Sequence, residues 1–278
     1  MGATKGSLAL LATAMLTSAC STDNGKRFDE VASAMISCTT YDGEGNEIER
    51  ELCFRDEAGR DTLTIMFSRG VQVSERRSEY DAAGRATRVR SVGSDGSEAV
   101  GIYEYEGDLR TRLISPTNIH CFEYDSLGKP TTEKIYGRDA NGNSTALLSK
   151  IVRRYDESGK PIYSAFLMAT ETGFEEIGSD EYEYDEGGRL ALTLQSAGDT
   201  HTKTLSAYNA AGDIIESKTY IINAQDGSET LTARTTFDYD FDSLQVVESD
   251  YVYDDRGLEI LTLRRVSRYS ERRQGESL

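Results

Sequence analysis

The sequence predicts an all-β protein, an antiparallel up-and-down meander of repeated hairpins curved into a soluble barrel or half-open trough. Three observations carry this. A turn motif, Y-D-x-x-G, returns at Tyr80–Gly84, Tyr124–Gly128, Tyr155–Gly159, Tyr184–Gly188 and Tyr253–Gly257, with a near copy at Tyr208–Gly212 that lacks the acid. Between turns the side chains alternate: Leu231, Ala233, Thr235, Phe237 and Tyr239 interleave with Thr230, Thr232, Arg234, Thr236 and Asp238. Period two with one wet face marks antiparallel sheet. Finally, the segments amount to roughly 15 to 18 strands, too many for a sheet to stay flat.

Residues 1–19 read as a targeting segment outside the fold. Lys5 is its positive end, Leu8–Leu16 its apolar core, and Leu16-Thr17-Ser18-Ala19-Cys20 a lipobox-like cleavage site. Cys20 is therefore expected to be the lipidated first residue, followed by a polar tether, 20–28. Ser21 after that cysteine points to the outer membrane. Cleavage leaves 278 − 19 = 259 residues, and removal of Lys5 gives 30 basic against 48 acidic side chains, a formal charge of −18. Such an acidic chain has no basic stripe to neutralise phosphates, which argues against nucleic acid and anionic membrane surfaces as partners.

The β domain is expected over 29–270, with a polar tail at 271–278. Its start is ambiguous, since Val31–Met35 suits a helical turn or a first strand. Cys38 and Cys53 lie symmetrically about Gly45-Asn46. A two-residue turn there would set them opposite one another and allow a disulfide, whereas a three-residue turn from Asp42 would offset them and forbid it. Beyond, the Y-D-x-x-G turns alternate with shorter ones at 94–96, 139–143, 171–173, 197–199 and 226–227. In each motif Asp bonds its own backbone two residues on, and Gly supplies the positive φ that closes the turn. Aromatic pairs two apart share a strand face: Phe122 with Tyr124, Tyr182 with Tyr184, Phe237 with Tyr239, Tyr251 with Tyr253. They are expected to stack into a ring ladder across the sheet.

The Y-D-x-x-G-[R/K] turns resemble the YD (RHS-type) repeats of bacterial surface and toxin-shell proteins. With the lipobox-like N-terminus, the chain is similar to gut-bacterial lipoproteins that carry a domain of unknown function with a porin-like fold. The resemblance covers roughly 40–260. It implies a β-shell architecture and an association with carbohydrate binding. The long core segment and toxic C-terminal domain of the large RHS proteins are missing, so encapsulation does not carry over.

Motifs for chemistry are sparse. His120 and His201 share no metal-ligand spacing, and His120 and its neighbour Cys121 point to opposite faces of a strand. No phosphate loop, dinucleotide fingerprint or nucleophile elbow occurs, so neither a metal nor an organic cofactor is expected. Asp139–Asn143 lacks the later bidentate Glu of a calcium loop. A transmembrane barrel would need an apolar outward band, which stretches such as Arg85–Arg90 contradict. The expected function is a non-catalytic envelope module, anchored by its lipid, that binds an extended glycan, peptide or envelope partner, with Tyr182 and Tyr184 as candidate contacts. The alternative is a glycoside hydrolase working with two carboxylates on the same scaffold.

Overall fold

The computed structural model describes residues 32–271 apart from Asp255. The expected signal segment, tether and Cys20 lie outside the described residues. The described residues form eighteen strands: β1 (Ala32–Asp42), β2 (Glu47–Arg55), β3 (Asp61–Ser68), β4 (Val71–Tyr80), β5 (Ala86–Gly93) and β6 (Glu98–Glu106). There follow β7 (Leu109–Ile114), β8 (Asn118–Tyr124), β9 (Pro130–Arg138), β10 (Ser144–Tyr155), β11 (Pro161–Thr170) and β12 (Gly173–Tyr184). The last six are β13 (Leu190–Ala197), β14 (Thr200–Tyr208), β15 (Ile214–Ile222), β16 (Glu229–Asp240), β17 (Gln245–Tyr253) and β18 (Glu259–Glu271).

Each strand pairs antiparallel with the next, and β18 pairs with β1, so the meander closes. Of the two expected shapes, the barrel forms and the trough does not. The ambiguous start resolves as strand from Ala32. At about 4.8 Å per strand and a tilt near 40°, eighteen strands give a backbone circumference of about 110 Å, wide enough for an aqueous lumen.

That lumen is not filled by a core. Among the described residues only Ile119, Ala165 and Val246 are buried hydrophobics. Register explains what replaces a core, because residues opposite each other in an antiparallel pair share a face. One face carries Cys38, Cys53, Tyr182 and Glu248, whose pKa values are all pushed up, first of all by burial. On the other face Arg50, Arg90 and Lys134 are raised and Glu98 lowered, foremost by hydrogen bonds to an ion partner. A concave wall gathers more protein around a side chain than a convex one does, so the first set is luminal. Side-chain exposure agrees: luminal Glu133 is 14% exposed, outer Glu123 is 51%.

The outer wall mixes charged pairs with apolar side chains such as Leu63, Ile65, Leu192 and Leu205. Arg90–Glu98 at 2.7 Å, Arg112–Glu104 at 2.8 Å and Lys218–Glu216 at 2.6 Å sit along the strands, facing outward. Each such Arg or Lys at a bilayer midplane would cost about 2–4 kcal/mol.

Candidate functional site

All the Y-D-x-x-G turns but the one at Tyr253 lie at one mouth of the barrel. In each, the amide of the first turn residue bonds the carbonyl four residues on, and the glycine amide bonds back, as in Asp185 N to Arg189 O and Gly188 N to Asp185 O, both 2.8 Å. The Asp carboxylate then receives the backbone N–H groups of its own turn, and in Asp56–Arg60, Asp81–Arg85 and Asp185–Arg189 it also takes the guanidinium at 2.7–2.8 Å.

What links one turn to the next is the tyrosine. Tyr80 donates its hydroxyl to Asp61 O, Tyr105 to Ala86 O, Tyr124 to Arg110 O, Tyr155 to Pro130 O, Tyr184 to Pro161 O, Tyr208 to Leu190 O and Tyr239 to Ile214 O, at 2.7–2.9 Å. Each acceptor opens the neighbouring strand, just past the preceding turn. The basic residue closing that preceding turn lies over the same ring: Arg60 on Tyr80, Arg85 on Tyr105, Lys160 on Tyr184 and Arg189 on Tyr208, at 4.8–4.9 Å. It then crosses to the next glycine, where Lys160 Nζ donates to Gly188 O at 2.8 Å. The expected ladder of ring on ring is thus replaced by ring under cation, because the basic side chain fills the gap between neighbouring tyrosines. Asp56–Arg60 belongs to this mouth although Arg55 stands where the motif has Tyr. Tyr253-Asp254 has the motif but turns at the other mouth, between β17 and β18.

The two candidate contacts divide accordingly: Tyr184 is committed to the stitch, while Tyr182 is luminal. Tyr182 donates to Asp180 Oδ2 at 3.2 Å, and burial, then the Asp180 charge, push its pKa up to about 12. Asp180 Oδ1 also accepts from Gln195 Nε2 at 2.9 Å.

Two further luminal clusters were not singled out by sequence. His120 Nδ1 meets Glu133 Oε1 at 2.7 Å, and Arg153 meets the other oxygen at 3.3 Å. Burial pushes Glu133 up, but those two partners outweigh it and hold the carboxyl low. Across β17 and β18, Arg265 binds both Glu248 at 2.5 Å and Asp250 at 3.1 Å, and Thr235 donates to Asp250 at 2.7 Å. Period-two alternation placed all these residues on one face, but only the register brings them together across strands.

Cys38 and Cys53 are free thiols, as is Cys121. The turn between them starts at Asp42, with Asp42 N bonded to Asn46 O and Gly45 N to Asp42 O, so the two-residue alternative is not taken. Cys38 consequently faces Glu51, and Cys53 faces Thr64. The two cysteines are diagonal neighbours, about 7–8 Å apart, beyond the reach of a disulfide without backbone movement. His120 and Cys121 do point to opposite faces, inward and outward. In Asp139–Asn143 the carboxylate accepts from Asn141 N and Asn143 N at 2.9 and 2.8 Å, closing a turn. Among the described residues no group of three or more His, Cys, Asp or Glu is arranged to hold a metal ion.

A closed eighteen-stranded barrel not filled by a buried core is the arrangement to compare with known structures. The fold is similar to that of a porin-like protein. That protein, from Bacteroides uniformis, shares 12% identity over 87% of this chain and 98% of its own, with a TM-score of 0.50. At this identity the likeness concerns the fold alone. A protein of unknown function from Bacteroides fragilis aligns over 52% of this chain and 87% of its own at 13% identity, with a TM-score of 0.26. No family model and no curated protein matches the sequence.

Proposed function

We propose that this chain is a non-catalytic envelope lipoprotein, anchored through Cys20, whose hollow barrel binds an extended glycan, peptide or envelope partner within its lumen. The observation that carries the reading is the inner wall: a closed ring of eighteen strands whose lumen presents polar and charged side chains among apolar ones and is not filled by a buried core. The charged outer wall supports a barrel that stands in water. Strand β1 begins at the stitched mouth, so a lipid on Cys20 would turn that mouth toward the membrane and leave the far mouth open to solvent.

Two experiments test this. Cys20→Ser should release the protein from the membrane fraction; retention as firm as wild type overturns the anchor. Ser91→Trp and Ser164→Trp place bulk on the inner wall opposite Arg76 and Asp180. They should abolish capture of envelope glycans or peptides while an outward Lys218→Gln leaves it intact. Equal capture by both kinds of variant overturns the luminal reading.

The hydrolase reading has one observation in its favour: Glu248 and Asp250 share an inner face two residues apart, and burial raises Glu248. Both carboxylates, however, are engaged by Arg265, and Asp250 also by Thr235. Glycan turnover abolished by Glu248→Gln would decide for the enzyme.

A further inference from the structure

The lumen is not uniform, and its sectors differ in charge. Glu49, Glu51, Glu248, Asp250 and Arg265 face inward on one side, and Glu133, Arg153 and Asp180 on another. From β13 to β16 the register places Thr193 opposite Thr204, Thr204 opposite Thr219, and Thr219 opposite Ala233, with Thr202 and Ser217 in the flanking rows. No inward position of these four strands is charged. Charged residues make up 28% of the chain, and the outward positions of the same strands hold Lys203, Glu216, Lys218 and Arg234. Charge is thus left out on the inner side alone.

We propose that this charge-free hydroxyl wall on the inner face of β13–β16 is the recognition surface of the lumen, and that it takes a neutral polyhydroxylated chain. The inference rests on the luminal-binding reading above and narrows it to one ligand class. Every hydroxyl offers one donor and two lone pairs, so the wall presents both polarities at each strand crossing, about 4.8 Å apart. Thr204 and Thr219 bond each other at 3.1 Å, which fixes their rotamers and still leaves one donor between them. A charged ligand would be desolvated against this wall without a counter-charge, a cost that hydroxyls do not offset. An extended peptide is a poorer match, because peptides bind sheets by adding a strand to a free edge, and a closed barrel has none. Tyr182, directly opposite Thr193, supplies a flat ring at the border of the wall. A sugar ring can lie on such a face while its hydroxyls exchange bonds with the threonines.

The test uses the whole domain and three probes: mixed neutral oligosaccharides, sulfated oligosaccharides of matched length, and polylysine. Binding is read by calorimetry. Neutral sugars should bind, and the double variant Thr204→Val, Thr219→Val should weaken that binding by roughly tenfold at unchanged melting temperature. Thr236→Val, on β16 but facing outward, should leave it unchanged. Unaltered neutral-sugar binding by the double variant overturns the proposal, as does a lumen that takes only one of the charged probes. In the second case Ser164→Trp separates the two readings. If it blocks the charged probe, luminal binding stands and the neutral-ligand inference falls; if it does not, both fall.

Discussion

The two mouths of this barrel are made of similar turns but held in different ways. At the stitched mouth a tyrosine hydroxyl ties each turn to its neighbour, most of these rings also lie under a cation from the preceding turn, and at Lys160 and Arg85 the same cation reaches the next glycine carbonyl. At the far mouth the turns at Asp42, Asp95, Asp139 and Asp254 close on their own aspartates, with no such chain of tyrosines among the described residues. The inner rim there carries exposed apolar side chains instead, Met66, Val71, Met168, Ile221, Val252 and Ile260. A hollow barrel has no core to hold its strands in register. One rim of inter-turn contacts supplies that constraint, and it leaves the other rim free to differ.

The sharpest way to break the comparison is through glycines. Gly188 and Gly227 both have positive φ, at 76° and 70°. Valine at either position carries backbone strain of about 1–3 kcal/mol. At Gly227 a new Cβ meets nothing within 4 Å, whereas at Gly188 it collides with Lys160 Nζ and dislodges the bond to Gly188 O. Gly188→Val should therefore lower the melting temperature by about 2–10 °C, more than Gly227→Val and far more than Ser196→Val. Equal shifts for the two glycines would reduce the stitch to simple turn geometry.

Removing single hydroxyls gives a smaller effect of the same sign. Tyr184→Phe leaves Pro161 O without its donor and should cost about 1 kcal/mol. Tyr253→Phe, at the far mouth, loses a bond to exposed Glu259 and should be close to neutral. Thermal melts of the pair decide. Smaller again is the cation: Arg189→Met should cost about 0.5–1 kcal/mol, and a double-mutant cycle with Tyr208→Leu should show that the two side chains are coupled.

Much of this was legible in the sequence. The acid and glycine of Y-D-x-x-G specify the turn locally, and alternation specifies the strands, so strand type, turn positions and curvature followed from short-range rules. What tyrosine does was not legible, because its partners lie 14 to 25 residues away, as in Tyr124 to Arg110 and Tyr155 to Pro130. Spacing alone made Tyr182 and Tyr184 equivalent, yet Tyr182 lies inside β12 beside Asp180, while Tyr184 ends the strand at the mouth and reaches Pro161 O on β11. The hydroxyl wall was hidden for a related reason. Thr and Ser are unremarkable residues in any strand, and their grouping exists only once the register has set β13 beside β14, β15 and β16.

The smallest expected effect is on pH dependence, and the chain contains its own control. Backbone hydrogen bonds, then burial in the opposite direction and the Arg189 side chain, leave the Asp185 carboxyl below its ordinary pKa. A carboxyl lowered in the folded state stabilises the fold above its unfolded pKa of about 3.9, and that contribution is lost as pH falls through the folded value. Glu248 has the opposite sign. Burial raises it, so its contribution is present below about 4.3 and is lost as pH rises through the raised value. Acid destabilisation of the stitched mouth should therefore come from its aspartates, partly offset by the buried glutamate. In the turn at Asn209 the same geometry is held by an amide: Asn209 Oδ1 accepts from the N–H groups of Ala211, Gly212 and Asp213 at 3.0–3.1 Å. An amide oxygen keeps these bonds at every pH. Asp185→Asn should thus fold as wild type near neutrality while flattening the fall in melting temperature from about pH 5 to about pH 3. Asn209→Asp should steepen it by a similar amount. If neither substitution changes the slope, the turn carboxylates do not couple to folding, and the acid limit of the barrel must be sought among the luminal ion pairs of Glu133 and Arg153.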